Sequence, residues 1–154
     1  MVFFVYDDGG RKAAAYKGRE ELRDCVTRAI AIAADLPYRE VYFALSKGNA
    51  AQRLSKRERQ SKNRTGVMTA SHGIYTKRKW FKDYMNSLGF IWTPTMKVGS
   101  GCQVHLREDE LPAEGRLVLK LSKHCAAYID GTLRDTDNCS RDGTRCVYGY
   151  WTKQ

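Results

Sequence analysis

The sequence predicts an α+β fold in which helices come first and a mainly antiparallel sheet follows. Helical apolar periodicity is confined to the segment before Gly89. From Phe90 onward the pattern changes to short extended runs, the last of them ending near Trp151. The dipeptide Asp130-Gly131 lies between two such runs and is a strong hairpin signal. Separation of helices from strands along a chain is typical of α+β domains.

Composition indicates one domain spanning residues 1–154. A hydrophobic fraction of 42% with only 3 Pro is sufficient for a buried core. No apolar run approaches the roughly 18 residues that cross a bilayer, and the segment from Met1 to Asp8 has no signal-peptide features, so it is interpreted as a first strand. Five cysteines without regular spacing indicate reduced thiols, and a cytoplasmic protein is expected.

Three helices are expected in the first part of the chain. The first begins at Asp24, a good N-cap residue, and runs to the break at Pro37. Its apolar residues cover nearly the whole circumference, which is typical of a helix buried in the middle of a domain. Pro37 starts a second helix with apolar residues at helical spacing. The third runs from about Thr76 to Leu88 and ends at Gly89.

A net charge of +10 favours acidic partners, of which nucleic acid is the commonest. Much of the excess positive charge lies in one helix-like stretch from Arg53 to Arg64. Charged runs of this kind are more often solvated faces than binding sites. The candidate phosphate contacts are Arg53, Lys56, Arg57, Arg59, Lys62 and Arg64, together with Lys77, Arg78 and Lys79.

The hairpin signal also predicts a strand register. If Asp130 and Gly131 form a two-residue turn, Ile129 pairs with Thr132. Counting back along both strands places His124 on the same face as two aspartates, Asp135 and Asp137, because side chains alternate between faces. An aspartate is therefore expected to reach the imidazole.

A cysteine at the start of the first helix could complete this pair. If Asp24 caps the helix, Cys25 occupies its first position, where the helix dipole and free N–H groups favour a thiolate. A carboxylate that orients an imidazole, and an imidazole that takes the proton of a thiol, form a nucleophile-activating unit. By register Asp137 lies more directly across from His124 than Asp135 does, so both remain candidates for the third member.

These residues resemble the papain-like cysteine peptidase superfamily. The resemblance lies in Asp24-Cys25-Val26-Thr27-Arg28-Ala29, in His124 at the start of a strand ending at Asp130-Gly131, and in Asp135-Thr136. It implies a nucleophilic Cys25 at the start of a central helix, His124 as acid and base, and Asp135 as the residue that orients the imidazole. The family often supplies an oxyanion donor from a Gln shortly before the nucleophile, whereas this chain has Arg19, Glu20 and Glu21 there. The candidate donors are therefore the Cys25 backbone N–H together with Arg19 or another group.

Most of the chain also looks like a group of short uncharacterised proteins from bacteriophages and bacteria. The similar phrases are DCVTRAIAIA, LPYREVY, SLGF and RDGTRCVYGYW. That resemblance implies no function, but it places the protein in the host cytoplasm if a phage encodes it.

Together these observations predict a cysteine-dependent hydrolase or acyl transferase. Its substrate would be a protein or peptide-like molecule with an amide, isopeptide or ester bond, and it would need no cofactor or metal. The alternative is an inactive papain-like scaffold that binds nucleic acid or a host protein. A rival pair, Cys102 and His105, is disfavoured because a spacing of three residues in a strand places side chains on opposite faces. No C-x-x-C pair supports structural zinc.

Overall fold

The computed structural model describes residues 2–16, 23–61, 68–97 and 99–154. Within these residues the helices are α1 (Cys25–Ala34), α2 (Tyr38–Ala51), α3 (Lys56–Ser61) and α4 (Lys79–Ser87). The strands are β1 (Phe3–Tyr6), β2 (Phe90–Pro94), β3 (Val104–His105), β4 (Arg116–Leu121), β5 (His124–Ile129), β6 (Thr132–Asp135), β7 (Cys146–Val147) and β8 (Gly149–Lys153). The predicted α+β class is therefore confirmed.

The main sheet has six strands in the order β1-β6-β5-β4-β8-β2, and β3 pairs with β7 in a small second sheet. All pairs between named strands are antiparallel except β1 with β6, where Phe3 lies beside Thr132. The predicted first strand is thus present, and it is the parallel edge of a mainly antiparallel sheet.

The hairpin register follows the prediction from Asp130-Gly131. Ile129 pairs with Thr132, and both turn residues have positive φ, 47° at Asp130 and 83° at Gly131. An Asp-Gly pair accepts this backbone because glycine has no Cβ and aspartate tolerates the left-handed region. The Asp130 carboxylate also accepts a hydrogen bond of 2.8 Å from the Gly115 N–H, which ties the turn to the start of β4.

Helix α1 lies against one face of the sheet and is buried from Val26 to Ala33. It packs on β5 and β4, with α2 beside it, as the apolar pattern around its circumference predicts. The same face of the sheet contributes Val118, Cys125 and Trp151 to this core. The opposite face forms a second apolar core around Leu117, Leu119, Leu121, Tyr128 and Leu133.

Two expectations about helix starts need correction. Helix α1 begins after Asp24 as predicted, but the Asp24 side chain makes no cap hydrogen bond because it is engaged by cationic and phenolic groups. Helix α4 begins at Lys79 rather than near Thr76, because the backbone of Arg78 is still extended. The start of α1, not the means of capping it, was predictable.

The expectation of reduced thiols throughout is wrong for two cysteines. Cys102 and Cys146 form a disulfide with Cα atoms 5.9 Å apart, and Cys25, Cys125 and Cys139 are free. The pairing of β3 with β7 places His105 opposite Cys146 and thereby brings Cys102 close. The two cysteines are separated by 44 positions, so local spacing could not indicate the bond.

No helix in the described ranges combines the length and the apolar character that a membrane span requires.

Candidate active site

Cys25 is the first residue of α1 and is half-buried. The first hydrogen bond of the helix runs from the Arg28 N–H to the Asp24 carbonyl oxygen, at 3.0 Å. The N–H groups of a first helical turn have no partner inside the helix, and together with the helix dipole they favour negative charge. The thiol therefore lies where its thiolate form is stabilised.

His124 and Asp135 meet at one end of the β5–β6 hairpin. The imidazole Nε2 lies 2.6 Å from Asp135 Oδ2, as expected for a carboxylate that fixes the orientation of a histidine. Asp135 is only 4% exposed, whereas the His124 side chain is 22% exposed and can be reached from solvent. Burial opposes ionisation of Asp135, but the hydrogen bond and charge of His124, with help from the Thr136 N–H and Arg28, lower the pKa of this carboxyl.

The imidazole also contacts the Cys25 thiol. Burial opposes the thiolate, but a hydrogen bond and the positive charge of His124 outweigh it, and the Cys125 N–H and Arg28 assist, so the pKa of Cys25 is lowered. Burial likewise favours a neutral imidazole, but hydrogen bonds with Asp135, Cys139 and Cys25 raise the pKa of His124 to about 11. Both shifts favour the charged pair, a thiolate beside an imidazolium.

Cys125 shows what the same residue type does without this environment. It follows His124 in β5 and is buried in the apolar core against α1. Burial, reinforced by the negative charge of Cys25, raises the pKa of Cys125 to about 12. Burial of one thiol thus suppresses ionisation, whereas the histidine beside the other promotes it.

Arg28 connects the start of the helix to the hairpin, and sequence analysis did not single it out. Its guanidinium forms an ion pair with Asp24, four residues earlier, and its Nη2 lies 3.4 Å from Asp135 Oδ1. Asp24 is further held by the Tyr38 hydroxyl, which donates a hydrogen bond of 2.7 Å, and by Arg11 at 3.0 Å. The available signal was an arginine within an otherwise apolar helix, which requires a buried anionic partner.

Cys139 is the second residue that sequence analysis missed. It lies in the turn after β6, half-buried, and its Sγ, a ring nitrogen of His124 and a carboxylate oxygen of Asp135 all lie within 4.8 Å of one another. Nothing in the local sequence marks it, because its approach to His124 depends on how the chain turns after Asp135.

The other predicted site residues lie elsewhere. Asp137 is exposed and lies beyond the end of β6, so it does not occupy the position across from His124 that an extended register implied. The strand stops at Asp135, whose carboxylate accepts a hydrogen bond of 2.7 Å from the Thr136 N–H as the chain turns. The oxyanion candidate Arg19 lies outside the described residues.

Cys102 and His105, the rival pair, are each bound to a different residue. Cys102 is bonded to Cys146, and His105 Nδ1 lies 3.2 Å from Glu110 Oε1. Neither residue therefore supplies a free thiol next to an imidazole.

The basic residues lie around α3 and the start of α4. Arg53, Lys56 and Arg57 are exposed, as is Lys77. Arg78 is bound to Glu58 at 2.7 Å and Lys79 to Asp83 at 2.7 Å, so part of the positive charge is neutralised locally. Arg59 belongs to α3, and Lys62 and Arg64 lie outside the described residues. Binding of nucleic acid or another acidic partner stays a prediction of the charge pattern.

A cavity of about 330 Å³ lies at the far end of α1, away from Cys25. Its lining includes Asp7, Asp35, Arg116 and Arg134. Arg116 is used by the helix itself, because its guanidinium donates hydrogen bonds of 2.7 Å to the Ala33 carbonyl and 3.0 Å to the Ile32 carbonyl. The groups with nucleophilic chemistry are therefore not in this cavity but at the opposite end of the helix.

Comparisons with protein-family models, with curated proteins and with solved structures found no match for this chain.

Proposed function

We propose that this protein is a cysteine-dependent hydrolase or acyl transferase of the papain-like kind. One observation carries the proposal: the His124 imidazole contacts both the Cys25 thiol and the Asp135 carboxylate. Cys25 lies 99 positions before His124 (124 − 25), whereas His124 and Asp135 are 11 positions apart on one hairpin. The order Cys, His, Asp, with the cysteine opening a buried helix and the histidine opening a strand, supports the papain-like assignment.

In the proposed reaction Cys25 attacks the carbonyl carbon of an amide, isopeptide or ester bond. A bond forms between Sγ and the carbonyl carbon, and the carbonyl electrons move to oxygen. His124 then gives its proton to the leaving amine or alcohol as the carbon–leaving group bond breaks, which leaves an acyl-enzyme. Attack by water, with His124 accepting its proton, releases the acid and regenerates the thiolate; attack by an amine gives acyl transfer instead.

The surrounding groups fit these roles. Asp135 holds the imidazole through Nε2, and its own orientation is held by the Thr136 N–H and by Arg28. The Cys25 N–H, at the first position of α1, is a donor for the developing oxyanion in this proposal. The proposed substrates are proteins or peptides, and the reaction needs no cofactor.

The test compares two cysteine variants on a panel of fluorogenic peptide amides, isopeptide-linked peptides and esters. Cys25→Ala should lose all measurable turnover while its circular dichroism and thermal unfolding stay close to wild type. Cys125→Ala is the matched control, since it removes a neighbouring thiol but keeps the backbone N–H that supports Cys25. Turnover by Cys25→Ala at the wild-type rate would refute the assignment.

A further inference from the structure

We propose that His124, Asp135 and Cys139 form a binding site for Zn²⁺, and that the bound ion switches off the thiol at Cys25. The ion-binding part depends only on the three side chains. The inhibitory part rests on the proposed function, because it assumes that Cys25 needs His124.

The spacing of the three ligand atoms suits a small metal ion. In a tetrahedral zinc site with bonds of about 2.0–2.3 Å, neighbouring ligand atoms lie roughly 3.3–3.6 Å apart. Here the three atoms lie within 4.8 Å of one another, and the His124 and Asp135 atoms are already 2.6 Å apart. Adjustments on the order of 1 Å therefore suffice. Cys139 can supply most of them because it lies in a turn rather than in a strand.

The donor set selects the metal. One imidazole nitrogen, one thiolate sulfur and one carboxylate oxygen suit zinc, whereas magnesium and calcium prefer sites made of oxygen alone. A carboxylate and a thiolate together carry two negative charges, which balance the charge of the ion. The buried Arg28 is paired with Asp24 and also lies 3.4 Å from Asp135.

The second oxygen of Asp135 is already held in place. Asp135 Oδ1 accepts a hydrogen bond from the Thr136 N–H and lies 3.4 Å from Arg28 Nη2, while Oδ2 faces the imidazole. Such outer contacts orient a carboxylate ligand and strengthen metal binding. The site therefore has an ordered histidine and an ordered carboxylate, and the thiol completes it.

Metal binding and thiol activation compete for His124. An ion bound between His124 Nε2 and Asp135 Oδ2 takes the place of the hydrogen bond that joins these two atoms at 2.6 Å. The metal then holds the imidazole, and Asp135 no longer orients it as a partner for Cys25. The ion-loaded protein would therefore carry a poorly reactive Cys25, and removal of the ion would restore it.

The test titrates the full-length chain with Co²⁺, a spectroscopic substitute for Zn²⁺, in the absence of oxygen. Wild type should develop the near-ultraviolet charge-transfer absorption of a thiolate bound to cobalt, and Zn²⁺ should abolish it by displacement. Cys139→Ser should lose this absorption and bind Zn²⁺ at least about 10-fold more weakly. Cys25→Ala should keep the absorption, because Cys25 is not one of the three clustered ligands.

The opposite pattern would overturn the assignment. If Cys25→Ala loses the absorption and Cys139→Ser keeps it, the ion is bound by Cys25, and if wild type shows no such absorption the site does not exist. Should Cys139→Ser be poorly folded by circular dichroism, Cys139→Ala supplies the same comparison.

Inhibition is measured separately from binding. Zn²⁺ should slow alkylation of Cys25 by iodoacetamide in wild type but not in Cys139→Ser. Binding without slower alkylation would overturn the inhibitory role alone. These measurements use no substrate, so a failure of the hydrolase proposal, seen as absent turnover in metal-free protein, is distinguishable from a failure of the metal site.

Discussion

The two ends of helix α1 use arginine in different ways. At the last turn, Arg116 from β4 donates to the carbonyl oxygens of Ile32 and Ala33 and satisfies backbone groups that the helix leaves open. At the first turn, Arg28 binds two carboxylates, Asp24 and Asp135, and contacts no helix carbonyl among its described hydrogen bonds. One arginine completes the helix, and the other joins the helix to the hairpin that carries His124.

The reactive groups lie at the first turn of α1, whereas the cavity lies at its last turn. The end with the 330 Å³ cavity has acidic and basic groups but no thiol among its lining residues. The end without that cavity has a thiol, an imidazole and a carboxylate in contact. Cavity size is therefore a poorer guide to chemistry in this protein than the contacts of its ionisable groups.

The substitution expected to have the largest effect on the reactive end of α1 is His124→Ala. The pKa of Cys25 is lowered through His124, so in wild type the thiolate persists as the pH falls below the ordinary thiol pKa of about 8.5. Without the imidazole, alkylation of Cys25 at pH 6 should be slower by more than about 100-fold. Mass spectrometry of iodoacetamide-labelled peptides measures this.

The same experiment contains its own control. Burial and the charge of Cys25 raise the pKa of Cys125 to about 12, so this thiol should remain unlabelled in both proteins. Equal and slow labelling of Cys25 in wild type and variant would remove the basis for an activated thiol.

A smaller effect on the Cys25 thiolate is expected for Asp135→Asn, because Asp135 acts on the thiol through His124. The amide keeps the shape of the carboxylate but not its charge, so the imidazolium is less stabilised and its tautomer is no longer imposed. Turnover should fall on the order of 10²- to 10⁴-fold, with a lower pKa for His124. NMR titration of the His124 imidazole measures this pKa. Asp137→Asn, at the exposed neighbour, should change neither quantity; an effect there equal to that of Asp135→Asn would reopen the choice between them.

The smallest effects on the Cys25 thiolate are expected from the two arginines, which differ in what they do for stability. Arg28→Leu removes a buried cation and leaves Asp24 and Asp135 without it, which should lower the free energy of unfolding by about 3–5 kcal/mol. Arg28→Lys should restore part of this loss. Arg116→Ala removes two hydrogen bonds to the carbonyl oxygens of Ile32 and Ala33 and should lower the free energy of unfolding by about 1–3 kcal/mol.

Alkylation of Cys25 then separates the two roles. At pH 6 it should slow in Arg28→Leu, because Arg28 helps to lower the pKa of Cys25, and stay unchanged in Arg116→Ala. Urea unfolding and alkylation measured on the same samples provide both quantities. Identical effects of the two substitutions on alkylation would show that the ends of the helix are not functionally different.

Local patterns predicted those parts of the site that depend on short-range rules. Apolar residues around the circumference of α1 indicated a buried helix, and Asp130-Gly131 indicated the turn and its register. Alternation of side chains then placed His124 and Asp135 on one face, where the structure has them in contact. These rules act over a few residues, so a single sequence is enough to apply them.

The rest depended on contacts between distant segments. Register alone left Asp137 as a candidate, because the sequence does not show that β6 ends at Asp135. The approach of Cys139 to His124 and the bond between Cys102 and Cys146 depend on the path of the chain after that strand. The sequence showed only that Arg28 is an unusual charged residue in a mainly apolar helix. It could not show the partner, because Asp135 lies 107 positions away.

The contact between Cys25 and His124 joins residues that are 99 positions apart (124 − 25). Contacts of such long range form only once the intervening chain has been organised. A nascent or truncated chain that lacks the hairpin would therefore carry an ordinary, sluggish thiol. Alkylation of Cys25 in mildly acidic solution would therefore measure the fraction of folded molecules, because only folded molecules would be labelled quickly.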